Sequence, residues 1–242
     1  MKLKIKLVEG AGSLEVTSLK QPAHVRVYRL IRDMILYGEL APGDAVTIQG
    51  LTNVLGAGMT PVREAIRRLT AEGALEFMGN RRVCVPELTE AKLEEFAFAR
   101  LAIEPKLARW GAEKIGATKI LELDMIDQAV NAAIAHQNVR EYLIQNYRFH
   151  MTLYLASEKR ELIGMVERLW LQTGPSLRMM FRRFKGKLYL PDMHQEALAA
   201  LRDNRADKVE EAMREDILQG IDNIRSSLFE APAESENLIK IS

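Results

Sequence analysis

From Thr89 to Phe229 the apolar residues recur at three- and four-residue spacing with almost no period-two alternation, which restricts that stretch to helices packed on one another. The periodic runs are TEAKLEEFAFARLAIEPKLARWGAEKI, the region around LELDMIDQAVNAAIAH, REYLIQNYRFHMTLYLAS, RELIGMVERLWLQTGPSLRMMF, PDMHQEALAALRDN and ADKVEEAMREDILQGIDNIRSSLF. They predict about six helices forming an all-α bundle. Thr89 suits the N-cap of the first helix, and Asp207 with Glu210 three residues later has the spacing of a capping box for the last.

Before Thr89 the pattern differs. In HVRVYRLIRDMILYG, Val27, Leu30, Ile31, Met34 and Ile35 make one helical face, and Gly38 is a stop. An APGD turn, a short helix around IQGLTNVLG and a GAG corner follow. The next helix opens GMTPVREAIRRLTAEGALEF, with Thr60 suited to the N-cap and Pro61 to the first helical position. Two short helices across a tight glycine-bearing turn, the second one basic, describe a helix-turn-helix. ALEFMGNRRVCVPEL then changes period: Leu75, Phe77, Val83 and Val85 flank the turn former Gly79-Asn80, with Arg81 and Arg82 near the tip of a hairpin.

The expected fold is mainly α: an N-terminal winged helix-turn-helix with a small β-hairpin wing, followed by an all-α helical bundle. The expected organisation is an arm over 1–20, the winged unit over 21–88, the bundle over 89–232 and a tail over 233–242.

Charge restricts how such a unit could meet nucleic acid. The whole chain has 34 Lys/Arg against 33 Asp/Glu, a net +1. Residues 20–88 hold nine against seven, a difference of +2, so a phosphate-binding face must come from arrangement and from pairing of two copies. On the basic helix Thr60, Arg63 and Arg67 share a side opposite Val62, Ala65, Ile66 and Leu69. A hydroxyl and free N–H groups suit phosphate oxygens, and a guanidinium can reach guanine bidentately in a major groove. Arg68, four residues from both Glu64 and Glu72, reads instead as an exposed intrahelical pair.

The lone Cys84 excludes an intrachain disulfide framework, agrees with a reducing cytoplasm and sits in a valine-flanked strand pattern that suits packing. No apolar run approaches the roughly 20 residues of a membrane span, and the N-terminal segment lacks the pattern of a signal peptide.

Residues from about 22 to 88 resemble the winged helix-turn-helix of the GntR family of bacterial transcription regulators. The resemblance rests on Pro42-Gly43, Leu55-Gly56, Thr60 to Leu69, Glu72-Gly73 and the short hairpin. It implies that Gln49, Thr60 and Arg63 face a double-stranded operator and that Gly79, Asn80 and Arg81 enter the minor groove; Arg67, on the same side of the helix as Arg63, is expected beside a phosphate. At Gly58 and Met59 the chain departs from the family, which places Ser or Thr and then Arg there. Operator sequence or affinity should differ accordingly.

In the bundle the informative residues are polar ones on inward faces. Asn146 and His150 stand at i and i+4 with Leu153 and Tyr154, His194 is in line with Ala197, Leu198 and Leu201, and Asp216 falls between Met213 and Gly220. Two imidazoles, a carboxylate and an amide oxygen can hold a divalent first-row metal with open positions, although inward histidines are more often hydrogen-bonded core residues. The helical region resembles the FCD ligand-binding domain of the FadR-like GntR subgroup. That resemblance implies a metal set at Asn146, His150, His194 and Asp216, with an amide at the first place and a carboxylate at the last where the subgroup has Asp and His. Zinc, manganese, nickel and iron are not distinguished by these ligands.

Arg100, with Glu104 at i+4, reads as a salt bridge; the resemblance implies contact with a small carboxylate effector instead. Arg178 is a second effector candidate, or a surface residue. Trp110, Trp170 and the Met179-Met180 pair suit core or dimer packing. The leading expectation is a homodimeric, effector-responsive, DNA-binding repressor. Its competitors are a regulator whose bundle is only a dimerisation scaffold, and a metal-dependent enzyme using His150, His194 and Asp216.

Overall fold

The computed structural model describes residues 21–78, 82–184 and 192–229, with 179–184 as backbone only. The expected arm over 1–20, the tail over 233–242, the wing tip Gly79-Asn80-Arg81 and the Met179-Met180 side chains lie outside the described residues. Helix α1 (Ala23–Leu36) buries Val27, Ile31, Met34 and Ile35 as its spacing predicts, whereas Leu30, at the edge of that stripe, stays 43% exposed. Strand β1 (Ala45–Val46) follows the APGD turn and leads into α2 (Ile48–Leu55), whose N-cap Thr47 accepts from the Gly50 N–H.

Helix α3 (Met59–Ala71) packs on α1 and α2 through Val62, Ala65, Ile66 and Leu69. It begins two residues earlier than expected. Gly58, in extended conformation, is the N-cap, so Thr60 and Pro61 are the second and third helical residues. The physical reason is that every N–H of the first turn lacks an intrahelical acceptor, so proline is tolerated at several positions there.

Strands β2 (Glu76–Met78) and β3 (Arg82–Cys84) form the hairpin, pairing Phe77 with Val83. Strand β1 adds to the other edge of β3, giving an antiparallel sheet of order β1-β3-β2. A two-residue strand has no period to read, which is why only two strands were predicted. Cys84 is a buried strand residue.

The remaining described elements are helices: α4 (Glu90–Ala112), α5 (Ala117–Ala135), α6 (Val139–Ala156), α7 (Arg160–Phe184), α8 (Met193–Arg202) and α9 (Ala206–Phe229). Thr89 caps α4 as expected, accepting from Lys92. The capping box at Asp207 does not form. Asp207 lies inside α9, and Glu210 pairs across the bundle with Lys106 at 2.6 Å and Arg109 at 3.3 Å on α4. Helix α4 is central, packing on α6, α7 and α9, while α5 lies on α6 and α8. No helix among the described residues is long and apolar enough to cross a membrane.

The winged unit and the bundle meet along α1 and α7. Arg32 of α1 reaches the Tyr147 hydroxyl at 2.9 Å and Glu167 at 3.4 Å. At the same seam α7 approaches α1 so closely that a Cβ on Gly174 would sit 2.7 Å from the Leu36 carbonyl oxygen.

Candidate metal centre and nucleic-acid interface

On α3 the amphipathic division is complete: Val62, Ala65, Ile66 and Leu69 are buried, while Thr60, Arg63, Arg67 and Arg68 are exposed. No side chain caps the helix, so its first N–H groups face outward beside Thr60. Arg63 has no hydrogen bond or ion pair with another described residue. Arg67 makes only a loose exposed contact with Glu64, 3.4 Å, an interaction worth about 0.3–0.5 kcal/mol and easily exchanged for a phosphate. Arg68 is differently committed. It pairs with Glu72 at 2.9 Å and lies 3.8 Å over the Tyr28 ring, whose hydroxyl also donates to Glu72. Burial and the adjacent Glu72 carboxylate push the Tyr28 phenol up to about 12. Gln49 is exposed on α2, donating to Asn53. On the described side of the wing tip, Phe77 and Met78 are also exposed.

Inside the bundle a cavity of about 280 Å³ is lined by Arg100, Asn146, His150, Trp170, His194 and Asp216, among others. The candidate metal residues therefore share one wall space, brought together from α6, α8 and α9. Ligand atoms of His150, His194 and Asp216 lie within 4.8 Å of one another, and Asn146 lines the cavity one turn before His150. Each histidine has its Nδ1 occupied. His150 Nδ1 lies 2.9 Å from the Tyr154 hydroxyl, which donates its own proton to Glu104, so the imidazole donates to the phenol. His194 Nδ1 lies 3.0 Å from Asp127, an acceptor.

Each Nε2 atom therefore faces the cavity, and offers it a lone pair whenever its imidazole is neutral. They are buried and make no hydrogen bond, although Asp216 oxygens stand 3.1 Å from His150 Nε2 and 3.7 Å from His194 Nε2. Without a metal, protonated histidine supplies the counter-charge to Asp216; with both imidazoles neutral, two lone pairs and a carboxylate make a donor set that suits a divalent transition metal.

The electrostatics agree with a site built to hold positive charge. Burial works against the Asp216 carboxylate, yet His150, His194 and Arg100 bring its pKa down to about 2. Burial lowers the pKa of His150 below the ordinary histidine value against the pull of Asp216. Burial would lower that of His194 too, but Asp127 and Asp216 flank it and carry it above that value.

Arg100 lines the cavity and also makes the predicted salt bridge. Its Nε is 2.5 Å and its Nη2 3.3 Å from the Glu104 carboxylate, and its guanidinium lies 4.7 Å from the Trp170 ring. Nη1 has no partner among the described residues. Glu104, fully buried, accepts from Arg100, Tyr154 and Trp170 and so anchors one side of the site.

Arg178 does not line this cavity. Helix α7 carries it past the site to the winged unit, where its Nη1 donates to the Gly38 carbonyl beside Tyr37, Glu39 and Arg140. Sequence reading missed Asp127, although a carboxylate among Leu123, Ile126 and Val130 on the buried face of α5 is the same signal that identified Asp216. Trp110 and Trp170 both serve packing: Trp170 is buried, and Trp110 is half-buried beneath Lys159.

Comparison with known sequences matches residues 23–85 to bacterial regulatory proteins of the gntR family and residues 95–219 to the FCD domain. HTH-type transcriptional regulator McbR of Escherichia coli is 26% identical over 172 residues, 71% of this chain and 76% of that protein. HTH-type transcriptional repressor RspR of Escherichia coli is 23% identical over 205 residues, 85% of this chain and 90% of that protein. The solved structure of E. coli McbR/YncC superimposes with a TM-score of 0.79 at 23% identity, covering 85% of this chain and 98% of that one.

Proposed function

The chain belongs to the GntR family of bacterial regulatory proteins with an FCD domain, a transcriptional regulator rather than an enzyme, and from that premise we propose an effector-responsive repressor whose bundle holds a divalent metal. Repression is carried over from relatives named as repressors, RspR among them. Thr60, Arg63 and Arg67 of α3, with Gln49 of α2, meet the operator, and Gly79, Asn80 and Arg81 contact its minor groove. A homodimer presents two such units to a palindrome about one helical turn per half-site apart.

In the bundle His150, His194 and Asp216 hold the metal, with Asn146 as a neutral fourth donor. The metal would supply Lewis acidity toward a carboxylate. The chain's own contribution is Arg100, which lines the same cavity and whose guanidinium can meet the anion. The observation that carries this reading is the pair of buried, unpartnered Nε2 atoms facing Asp216.

The test is metal analysis of purified protein, followed by a thermal-shift screen of small carboxylic acids with and without metal. The reading expects about one metal per chain, and acids that raise Tm only when metal is present. Protein that takes up no zinc, manganese, nickel or iron refutes it. A His150→Ala, His194→Ala double variant that keeps its ligand response sinks metal-dependent sensing and leaves the bundle as a scaffold or a metal-free sensor.

A further inference from the structure

Asp127 is 1% exposed, on the wall of the cavity, and among the described residues its one ion-pair partner is His194. Its Oδ1 accepts from His194 Nδ1 at 3.0 Å, while its Oδ2 accepts from the side-chain amides of Asn131, at 3.2 Å, and Gln195. Asn131 also bridges to Asp192, the residue that caps α8 by accepting from the Gln195 N–H. His194 is the second residue of α8, so one carboxylate on α5 grips both the imidazole and the first turn of the helix that carries it.

We propose that Asp127 is the positioning residue of the metal centre: it holds His194 with Nδ1–H outward and Nε2 toward Asp216, and it fixes the start of α8 against α5. This rests on the reading that His150, His194 and Asp216 bind a divalent metal. The argument is geometric. An ionised carboxylate accepts and never donates, so His194 Nδ1 must carry a proton, which leaves Nε2 as the only ring nitrogen that can offer a lone pair to a metal. Phe149 stacks on the His194 ring at 3.8 Å, preventing tilt but leaving rotation about Cβ–Cγ to be decided by Asp127. His150 is held differently, by the Tyr154 hydroxyl, so the two ligands have separate anchors and one can be loosened alone.

The test is titration of the metal-free full-length chain with Co²⁺, reading affinity by competition with a chelator and the visible ligand-field band of the complex. Asp127→Asn keeps the shape and loses the charge; it should weaken Co²⁺ binding about 10- to 100-fold and shift the band. Asn131→Ala, which removes a partner of Asp127 without touching His194, should stay within about threefold of wild type by the same comparison. A purely structural Asp127 would leave the band of the loaded variant unmoved.

If Asp127→Asn does not fold, nitrogen NMR of the Zn²⁺-loaded wild type decides: coordination of His194 through Nε2 is expected, and coordination through Nδ1 overturns the proposal. Wild type that binds no metal refutes the metal reading and this proposal with it. Wild type that binds Co²⁺ while Asp127→Asn matches it in affinity and spectrum overturns the positioning role alone.

Discussion

Replacing Gly111 by Ala would put a methyl group 2.1 Å from the Leu153 backbone carbonyl oxygen, at the crossing of α4 and α6. An ordinary contact begins near 3.4 Å, so the two helices must part by about 1.3 Å at that point. Because the obstacle is backbone, no rotamer change relieves it. The same helix pair is joined by the buried Tyr154 to Glu104 hydrogen bond, 2.9 Å long, with Tyr154 directly after Leu153.

Overpacking costs about 1–3 kcal/mol, and a buried hydrogen bond lost with it another 1–3, while Ala gains about 1 kcal/mol of helix propensity over Gly. The balance is a loss of about 3 kcal/mol, or roughly 6–12 °C in Tm for a chain of this size. The assay is thermal unfolding of the metal-free protein by circular dichroism. Gly164→Ala serves as the control, since a Cβ on that α7 residue meets nothing within 4 Å and should leave Tm unchanged or raised. A Gly111→Ala variant as stable as wild type would refute the close-approach argument.

Asp216 and the basic helix give two further tests. In metal-free protein the Asp216 carboxyl sits at about 2 against an ordinary 3.8, so its contribution is present above the unfolded value and is lost as pH falls from about 4 toward 2. The difference corresponds to about 2 kcal/mol, and the urea stability gap between wild type and Asp216→Asn should shrink by that much over this range. A gap that does not move contradicts it. For DNA, a duplex selected from a random pool should bind Arg63→Ala about 10- to 100-fold more weakly, with specificity relaxed at one base pair. Arg67→Ala should weaken all sequences alike and reduce the salt slope by about 1, whereas Arg68→Ala, already tied to Glu72 and Tyr28, should bind within about twofold of wild type. Equal losses for Arg63 and Arg68 in a fluorescence anisotropy titration would reject this assignment of the face.

Periodicity made the helices legible because α1, α3 and the bundle helices each bury one stripe; Val62, Ala65, Ile66 and Leu69 fall where a 3.6-residue repeat puts them. What it could not give are features decided by tertiary contact. The start of α3 at Met59 depends on the conformation of Gly58, and the two-residue β1 exists only because β3 offers it an edge. Asp207 and Glu210 satisfy the spacing of a capping box, but Lys106 and Arg109 on a helix 100 residues away compete successfully for Glu210.

The cavity was legible through polar residues on apolar faces, and that rule placed Asn146, His150, His194 and Asp216 correctly around one space. For Arg178 the sequence left two readings open, effector contact or surface placement, and the structure puts its guanidinium at the seam with the winged unit instead of the cavity. Asp127 carries the same signal, a carboxylate on the buried face of α5, and was passed over.

The cavity and helix α3 have one element in common in their surroundings. Trp170 and Leu177 of α7 line the cavity, and Trp170 donates to the Glu104 that anchors His150 through Tyr154. One turn on from Trp170, Gly174 rests against the Leu36 carbonyl, and Arg178 donates to the Gly38 carbonyl where α1 ends. Helix α1 in turn packs on α3, and Arg68 of α3 stacks on its Tyr28. A ligand that moved Trp170 would therefore act on the winged unit through two contacts with backbone carbonyls, of which the Gly174 approach is backbone on backbone and cannot yield by changing rotamer. Pro175 lies between those contacts and removes one N–H from the α7 ladder, so bending of α7 costs least next to the point where it touches α1.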